Sequence, residues 1–434
     1  MERIQEILTT IDNWLWGNWL LFVLLAVGIL YTVISGGVQV RHFKYIIKKT
    51  LIHPIRYGDK DTNSEGSVSS FQALNMAIAS CVGSGNIVGV ATAVLAGGLG
   101  AIFWMWLSAF FGMSTIYGEA VLAQKYKTTD DKGHVTGGPI YYIRARFQGG
   151  FGKFLAGFFS VAIIFALGFT GNMVQANSIS VAFKTAFGAP QIVVGIVCAI
   201  IAAFIFLGGV GRIASVTEKV VPIMALFYMA GCLVILCFNH AAIIPAFKSI
   251  FVAAFDPQSI LGGAAGITVR EAMRYGVARG LFSNEAGMGS TPHAHALANV
   301  KNPHEQGTVA IIGVFIDMFV ILTLNALVII STLYAGDGPL AGCGAAALSS
   351  TFNKTNLAQC AFGTVFGYKA GSMFVAICLF FFAFSTILSW NLFGKINMVY
   401  LFGKKSANVY TLLALIFIFL GTTMSNDLVW ELSD

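Results

Sequence analysis

The chain has 434 residues, of which 57% are hydrophobic and only 10% are charged. Soluble domains carry about 25% charged residues, and the mean hydropathy here is +0.78. This composition excludes an ordinary soluble domain and indicates an all-α polytopic membrane protein in a lipid bilayer. The formal net charge of +7 would suit a nucleic-acid partner, but most basic residues lie in short loops on one side, so none is expected.

Ten apolar segments are predicted to cross the membrane. They lie at residues 19–38, 71–96, 100–122, 154–183, 190–209, 217–238, 266–298, 308–334, 370–393 and 408–424. Residues 1–40 form an N-terminal amphipathic lead-in and the first span. The lead-in places three acidic residues before three tryptophans, a pattern typical of a membrane interface and unlike a signal peptide.

The loops between the spans indicate the orientation. Most Lys and Arg residues fall after the first, third, fifth, seventh and ninth spans. Basic loops stay in the cytoplasm. We therefore expect a multi-pass cell-membrane protein whose N-terminus lies outside.

Five of the seven cysteines lie inside apolar segments, where a free thiol behaves as a small hydrophobic group. Cys343 and Cys360 share a loop. They could form a disulfide if that loop is external, or remain free thiols.

The span at residues 71–96 is interrupted near its centre. Residues 83–86 are Gly-Ser-Gly-Asn, although glycine costs about 1 kcal/mol relative to alanine in a helix and Ser and Asn prefer caps and turns. Non-helical backbone is tolerated at membrane depth only where it is buried in protein or lines a polar cavity. The run predicts a broken helix at a binding site, and close helix packing through small residues is the alternative.

The span at residues 266–298 carries a second interruption. Its first half holds three arginines and a glutamate, which are expensive in lipid and should face protein or water. A glycine-rich run then ends in Thr291 and Pro292, which as N-cap and first helical residue favour a restarted helix. Two broken helices, one early in each half of the chain, indicate an inverted-repeat transporter with its site between the breaks.

Five short runs carry a resemblance to a known family. They are VGSGNI at residues 82–87, GAIFWMW at 100–106, TGGP at 136–139, RGLFSNEAG at 279–287 and FSTILSW at 384–390. In this order they resemble the alanine or glycine:cation symporter family of secondary transporters. The resemblance extends over nearly the whole chain.

This resemblance implies the five-plus-five inverted-repeat fold of the bacterial leucine transporter, preceded by one extra span. Residues 71–238 would form the first repeat, core helices 1–5. Residues 266–434 would form the second repeat, core helices 6–9 and the start of core helix 10. Spans 71–96, 266–298 and 370–393 then become core helices 1, 6 and 8.

The chain ends with residues 426–434, which are predicted to lead into a further membrane span. On the mapping above, core helix 10 is therefore expected to be truncated. A truncated, inactive remnant is one alternative reading of the protein.

The resemblance also implies a site for a small neutral amino acid, alanine or glycine. The residues expected there are Gly83, Gly85, Asn86, Gln175, Phe282, Ser283, Gly287, Met288 and Trp390. A buried zwitterion needs donors for its carboxylate and acceptors for its ammonium. The restarted half of core helix 1 offers backbone N–H groups at the positive end of a helix dipole, and the break in core helix 6 offers open carbonyls.

Two side-chain roles at this site are expected. Gln175 would either contact the substrate or form an interhelical hydrogen bond. Trp390 and Met288 would cap a small side-chain pocket, although ordinary packing explains any single Trp or Met without the resemblance.

A sodium ion needs several oxygen ligands, and unwound carbonyls supply them without burying carboxylates. By similarity to the ion site of this fold, the Ala79 and Val82 carbonyls would face the Thr386 hydroxyl, with Ser385 as a further ligand. The related fold has a serine where this chain has Ile387. A second ion near Asn86 and Ser283 is a further hypothesis.

Three acidic residues lie at membrane depth: Glu119, Glu285 and Asp317. Each is a functional candidate, and ion pairs or gates with the arginines at 270, 274 and 279 compete with proton relays. His293 and His295 point in different directions on a helix, so a metal site is not expected.

Sodium-coupled symport of a small neutral amino acid into the cell by alternating access is the leading function. The alternatives are another substrate on the same fold, proton coupling, a channel, or the inactive remnant. No nucleophile–base or metal constellation is recognisable, so the protein is predicted not to be an enzyme. The sequence leaves the oligomeric state open.

Overall fold

The computed structural model describes residues 19–52, 68–129, 133–256, 268–341 and 352–433, together with residues 10, 14 and 16. The first half of the described chain consists mainly of helices. They are α1 (Leu20–Ile34), α2 (Val38–Arg41), α3 (Phe43–Ile47), α4 (Ser70–Cys81), α5 (Val90–Gly97), α6 (Ala101–Lys125), α7 (Pro139–Arg146), α8 (Gly149–Ile163), α9 (Asn172–Phe187), α10 (Gln191–Phe206), α11 (Gly209–Phe238) and α12 (His240–Phe255).

The second half is also helical. Its helices are α13 (Val269–Asn284), α14 (Pro292–Leu297), α15 (Pro303–Val314), α16 (Thr323–Ile329), α17 (Leu357–Phe366), α18 (Tyr368–Phe402), α19 (Ser406–Thr423) and α20 (Asn426–Ser433). Wider π-helical turns extend or join several helices. These turns are Lys48–Ile52, Gly85–Gly89, Ile164–Gly171, Phe315–Leu322 and Ile330–Tyr334.

The membrane-spanning character of the chain is confirmed. Among the described residues, six helical segments are long and apolar enough to cross a bilayer, and the pair Ser70–Cys81 and Gly85–Gly97, bent by 45°, makes a seventh. The helices in predicted spans 19–38 and 190–209 have only 15 and 16 residues. At 1.5 Å per residue they extend roughly 22–24 Å, less than the hydrocarbon core.

Two features depart from a plain bundle of predicted spans. A short antiparallel hairpin follows α6, pairing β1 (Thr128–Thr129) with β2 (Val135–Thr136). Helix α12, which was not predicted as a span, packs on α6, where Trp104 Nε1 donates to the Ala254 carbonyl at 3.3 Å.

Close packing around α6 explains several glycines. A Cβ on Gly276 of α13 would lie 2.4 Å from the Ala101 carbonyl oxygen, and one on Gly280 would lie 2.6 Å from Ser108 Oγ. Small residues let two backbones approach in this way. The front half of the second broken helix is therefore fixed against α6.

The two broken helices are also joined through their backbones. Val68, just before α4, donates its N–H to the Leu297 carbonyl at 3.1 Å and accepts from the Asn299 N–H at 3.0 Å. The start of the first broken helix thus lies beside the end of the second. The assignment of two inverted repeats to residues 71–238 and 266–434 stays a prediction.

Candidate functional site

The predicted break in the first helix is present. Helix α4 ends at Cys81, and the chain resumes helical structure at Gly85. Between them the Gly83 N–H is shared by the Cys81 carbonyl at 2.9 Å and Asn86 Oδ1 at 3.2 Å, and the Ser84 N–H donates to Gln175 Oε1 at 2.9 Å. Side chains therefore occupy some of the backbone donors that the interruption opens.

The second break is also present, between Asn284 and Pro292. Pro292 opens α14 as predicted, but Thr291 forms no side-chain cap bond, and its buried hydroxyl has no hydrogen-bond partner among the described residues. Thr291 thus occupies the predicted N-cap position, although its side chain does not cap the helix. The break is instead held by Asn284 Oδ1, which accepts the Ala286 N–H at 2.9 Å.

The two breaks touch each other. A Cβ on Gly85 would lie 3.2 Å from Ser283 Cα, and the Cys81 thiol donates to the Asn284 carbonyl at 3.4 Å. Gly85, Ser283 and Asn284 are all buried. Segments about 200 residues apart in sequence therefore form one compact centre.

The residues predicted to bind sodium are only partly brought together. The buried Thr386 hydroxyl of α18 donates to the Ala79 carbonyl at 2.8 Å, and Val82 lies in the adjacent break. Ser385, by contrast, donates to the Phe382 carbonyl at 2.9 Å and approaches Met224 Sδ at 3.7 Å. Its hydroxyl is therefore engaged away from Ala79.

Ser389, unlike Ser385, bonds to the first broken helix. One turn after Thr386, its hydroxyl donates to the Met76 carbonyl of α4 at 2.9 Å. The sequence interpretation missed this residue. The Thr386-x-x-Ser389 spacing, which places both hydroxyls on one helix face, was the signal that could have identified it.

Asn86 and Ser283 meet a third residue, Asp317. Asn86 Nδ2 donates to Asp317 Oδ1 at 2.7 Å, and the Ser283 hydroxyl donates to Asp317 Oδ2 at 3.1 Å. The Asn86 carbonyl accepts from Asn325 Nδ2 at 2.7 Å. Asp317 was singled out in the sequence for its depth, but its partners follow only from the packing.

Trp390 lies beside the second break. Its indole N–H donates to Glu285 Oε1, and its ring meets the Phe282 ring edge-on, with centroids 6.1 Å apart. Trp390 is the largest fully buried side chain in the described part of the chain.

Three of the predicted substrate residues lie on a cavity beside α1. Phe282, Gly287 and Met288 line this cavity of about 330 Å³, together with Leu24 of α1 and Arg279 of α13, and Trp390 is not among its lining residues. The structure does not bring Met288 and Trp390 together as two walls of one pocket.

The two histidines point apart. His293 Nε2 lies 2.8 Å from Asn397 Nδ2, whereas His295 Nδ1 lies 2.8 Å from Gln306 Nε2. Within the described ranges no group of three His, Cys, Asp or Glu side chains is placed to hold a metal ion. Cys343 lies outside the described residues, so its pairing with Cys360 stays a prediction.

The comparisons with known proteins decide the family. Residues 1–434 match the model of the sodium:alanine symporter family. The chain belongs to this family. It is therefore a multi-pass membrane transporter for cation-coupled amino-acid symport, and not an enzyme.

The similarity to named relatives covers most of the length of each relative. The sodium/alanine symporter AgcS of Methanococcus maripaludis is 40% identical, with 99% of this chain and 90% of the relative covered. The amino-acid carrier protein AlsT of Bacillus subtilis is 35% identical, with 98% and 84% covered. The probable sodium/glutamine symporter GlnT of the same organism is 34% identical, with 100% and 86% covered.

Solved structures show the fold. A Na⁺-coupled sialic acid symporter in a substrate-bound outward-open state is similar with a TM-score of 0.56 at 15% identity, covering 93% of this chain and 80% of that one. A variant of the Eremococcus coleocola manganese transporter gives 0.54 at 14% identity, covering 81% and 68%. The predicted transporter fold is thus confirmed at the level of overall architecture.

Proposed function

We propose that this chain couples the entry of Na⁺ to the uptake of a small neutral amino acid, alanine or glycine, into the cell. The observation that carries the proposal is the contact between the two helix breaks, where Gly85 meets Ser283, beside the Thr386–Ala79 hydrogen bond. A paired break of this kind supplies backbone donors and acceptors at one depth.

The substrate would lie along the paired breaks. Its carboxylate suits the N–H groups at the restart near Gly85, where the helix dipole is positive, and its ammonium suits the carbonyls of Phe282 and Ser283. The short distance between Gly85 and Ser283 leaves little room there, which supports a small substrate. Gln175 accepts from Ser84 in this structure and would adjust when a carboxylate enters.

The sodium ion would be held by the Ala79 and Val82 carbonyls and the Thr386 hydroxyl. These are hard oxygen ligands of the type that such a cation prefers, and none carries a charge whose burial must be offset. A second ion would suit the oxygens of Asn86, Ser283 and Asp317, where the Asp317 carboxylate supplies the only formal charge of the three.

A larger cavity supports a cytoplasmic release route. It has a volume of about 780 Å³ and is lined by residues that include Val68, Leu297, Asn391 and Lys395. Val68 and Leu297 lie at the paired ends of the two broken helices, which the loop charges predict to be cytoplasmic. The cavity would then join the site to the cytoplasm.

The test is sodium-dependent binding and uptake by purified protein. Alanine, glycine, D-alanine and glutamine are added in sodium or potassium chloride, and the thermal midpoint and proteoliposome uptake are measured. A ligand that binds only the folded protein stabilises it by RT ln(1 + [L]/Kd). Alanine should stabilise and enter in sodium alone.

A pair of variants makes the test specific. Thr386→Val removes the hydroxyl at nearly constant size. It should abolish both the sodium-dependent stabilisation by alanine and the sodium-coupled uptake. Ser372→Ala is the control, because Ser372 is buried on the same helix and its hydroxyl has no partner among the described residues. Stabilisation by glutamine alone would reassign the substrate, and equal uptake in both salts would exclude sodium coupling.

A further inference from the structure

Glu285 has an unusual backbone conformation for its residue type. It ends α13 with φ 56°, and in the described ranges it is the only residue other than glycine with positive φ. Glycine or asparagine normally occupies such a left-handed position, because a larger side chain crowds its own carbonyl there. A buried glutamate in this place points to a requirement for its carboxylate.

Three hydrogen-bond donors converge on that carboxylate. The Ser80 hydroxyl of α4 donates to Oε2 at 3.1 Å, the Ser290 hydroxyl donates to the same oxygen, and Trp390 Nε1 donates to Oε1. Ser80 precedes the first break, Ser290 closes the second, and Trp390 belongs to α18. One carboxylate therefore joins both breaks to a third helix.

The Trp390 ring is packed on two sides in addition to this bond. A Cβ on Gly171 would lie 2.6 Å from its Cζ3 and 2.8 Å from its Cε3, so the six-membered ring lies directly against that backbone. Phe282 meets the ring edge-on, with an interplanar angle of 88°. With the ring held at these two sides, the bond to Glu285 fixes the position of the indole nitrogen.

We propose that Glu285 is a positioning residue that sets the size of substrate side chain the transporter accepts, by holding Trp390 as a wall of the site. The proposal rests on the proposed function, in which the substrate lies along the paired breaks, and Trp390 contacts Phe282 and Glu285 of the second break. Without the carboxylate, Trp390 gains alternative positions and a longer side chain fits.

The test compares initial uptake of alanine, 2-aminobutyrate and valine by the wild-type protein, Glu285→Gly, Trp390→Phe and the double variant. Glycine suits the left-handed backbone, so folding is favoured in Glu285→Gly. In each single variant the preference for alanine over 2-aminobutyrate should fall about tenfold, which is the scale on which a binding pocket discriminates one methylene group. The double variant should lose no more than either single one, because both remove the same contact.

Glu119→Gln is the matched control. Glu119 holds the same break by accepting the Gly287 and Gly289 N–H groups at 3.1 and 3.0 Å. It should lower thermal stability and leave the alanine preference unchanged. An equal loss of preference in Glu119→Gln would show that any damage to the break relaxes selectivity, which would overturn the specific role of Glu285.

The indole N–H resonance of Trp390 gives a readout independent of transport. It is assigned by its loss in Trp390→Phe, and it should shift in Glu285→Gly and stay in place in Glu119→Gln. An unshifted resonance, or an unchanged preference in a Glu285→Gly protein that still transports, would overturn this proposal and leave the proposed function standing. A wild-type protein that takes up no neutral amino acid in sodium would overturn the proposed function itself.

Discussion

Gly83 lies directly against the Thr386 hydroxyl: a Cβ on residue 83 would be 2.5 Å from Thr386 Oγ1 and 3.1 Å from Gln175 Oε1. The absence of a side chain at residue 83 lets α18 approach the first break. That approach places the Thr386 hydroxyl on the Ala79 carbonyl, where the proposed sodium ion would bind.

Gly83→Ala should therefore impair sodium binding and stability together. Overpacking of this kind costs about 1–3 kcal/mol, and displacing Thr386 should weaken sodium-dependent stabilisation by alanine. Thermal midpoints with and without sodium measure both effects. Gly89→Ala is the control, since a Cβ there meets nothing within 4 Å, and it should be neutral or slightly stabilising. Equal behaviour of the two variants would contradict the role assigned to Gly83.

Asp317→Asn should lower the affinity for sodium. The change removes the charge from the Asn86–Ser283–Asp317 cluster and turns one of two acceptor oxygens into a donor, which leaves a neighbouring donor unsatisfied at about 1–3 kcal/mol. If a second ion binds there, the Hill coefficient for sodium should fall to one. Ser283→Ala, which removes a neutral hydroxyl, should have the smaller effect. A sodium titration of alanine binding that is identical in Asp317→Asn and wild type would argue against an ion at this cluster.

Gly276→Ala should destabilise the contact between α13 and α6. Its Cβ would lie 2.4 Å from the Ala101 carbonyl oxygen and 2.6 Å from Trp104 Cβ, and backbone cannot move aside cheaply. We expect a loss of about 1–3 kcal/mol, read as a lower thermal midpoint. Gly157→Ala, where a Cβ meets nothing within 4 Å, should gain up to about 1 kcal/mol from helix propensity. A stable Gly276→Ala protein would show that the two helices separate easily.

The Lys49–Glu305 ion pair, with 2.9 Å between Nζ and Oε1, should contribute little. Both side chains are about one-third exposed, so Lys49→Met should cost no more than about 1 kcal/mol and less in high salt. Burial lowers the pKa of Lys49, but the hydrogen bonds and charges of Glu305 and Tyr45 together outweigh it, so the net direction of the pKa shift is upward. This contribution is therefore complete below the ordinary lysine pKa and is lost as pH rises through the raised value. A clear loss of the lysine contribution between pH 6 and 8 in thermal scans would contradict this sign.

The family and the breaks could be predicted from local sequence. Residues 83–86 interrupt the first helix because glycine, serine and asparagine are poor helix formers there, and Pro292 restarts the second helix because its fixed φ suits a first helical position. These are properties of neighbouring residues, so no tertiary information was needed. Helix α12 and the short hairpin were missed, since neither is a long apolar run.

The partners at the site could not be predicted in the same way. Ser385 and Ser389 are both serines near Thr386, yet only Ser389 faces α4, because the rotation of α18 about its axis decides which hydroxyl points there. The sequence predicted either a substrate contact or an interhelical hydrogen bond for Gln175. Its hydrogen bond to the Ser84 N–H depends on where α9 packs.

The sequence by itself determined a membrane protein with two interrupted helices, of a recognisable transporter family, because composition and helix-breaking residues act locally. Only the tertiary structure decided that Glu285 accepts from Trp390 and that Asp317 accepts from Asn86. These pairs are 105 and 231 residues apart. A buried polar group must find a partner, but which one it finds depends on the packing of whole helices and on no local pattern.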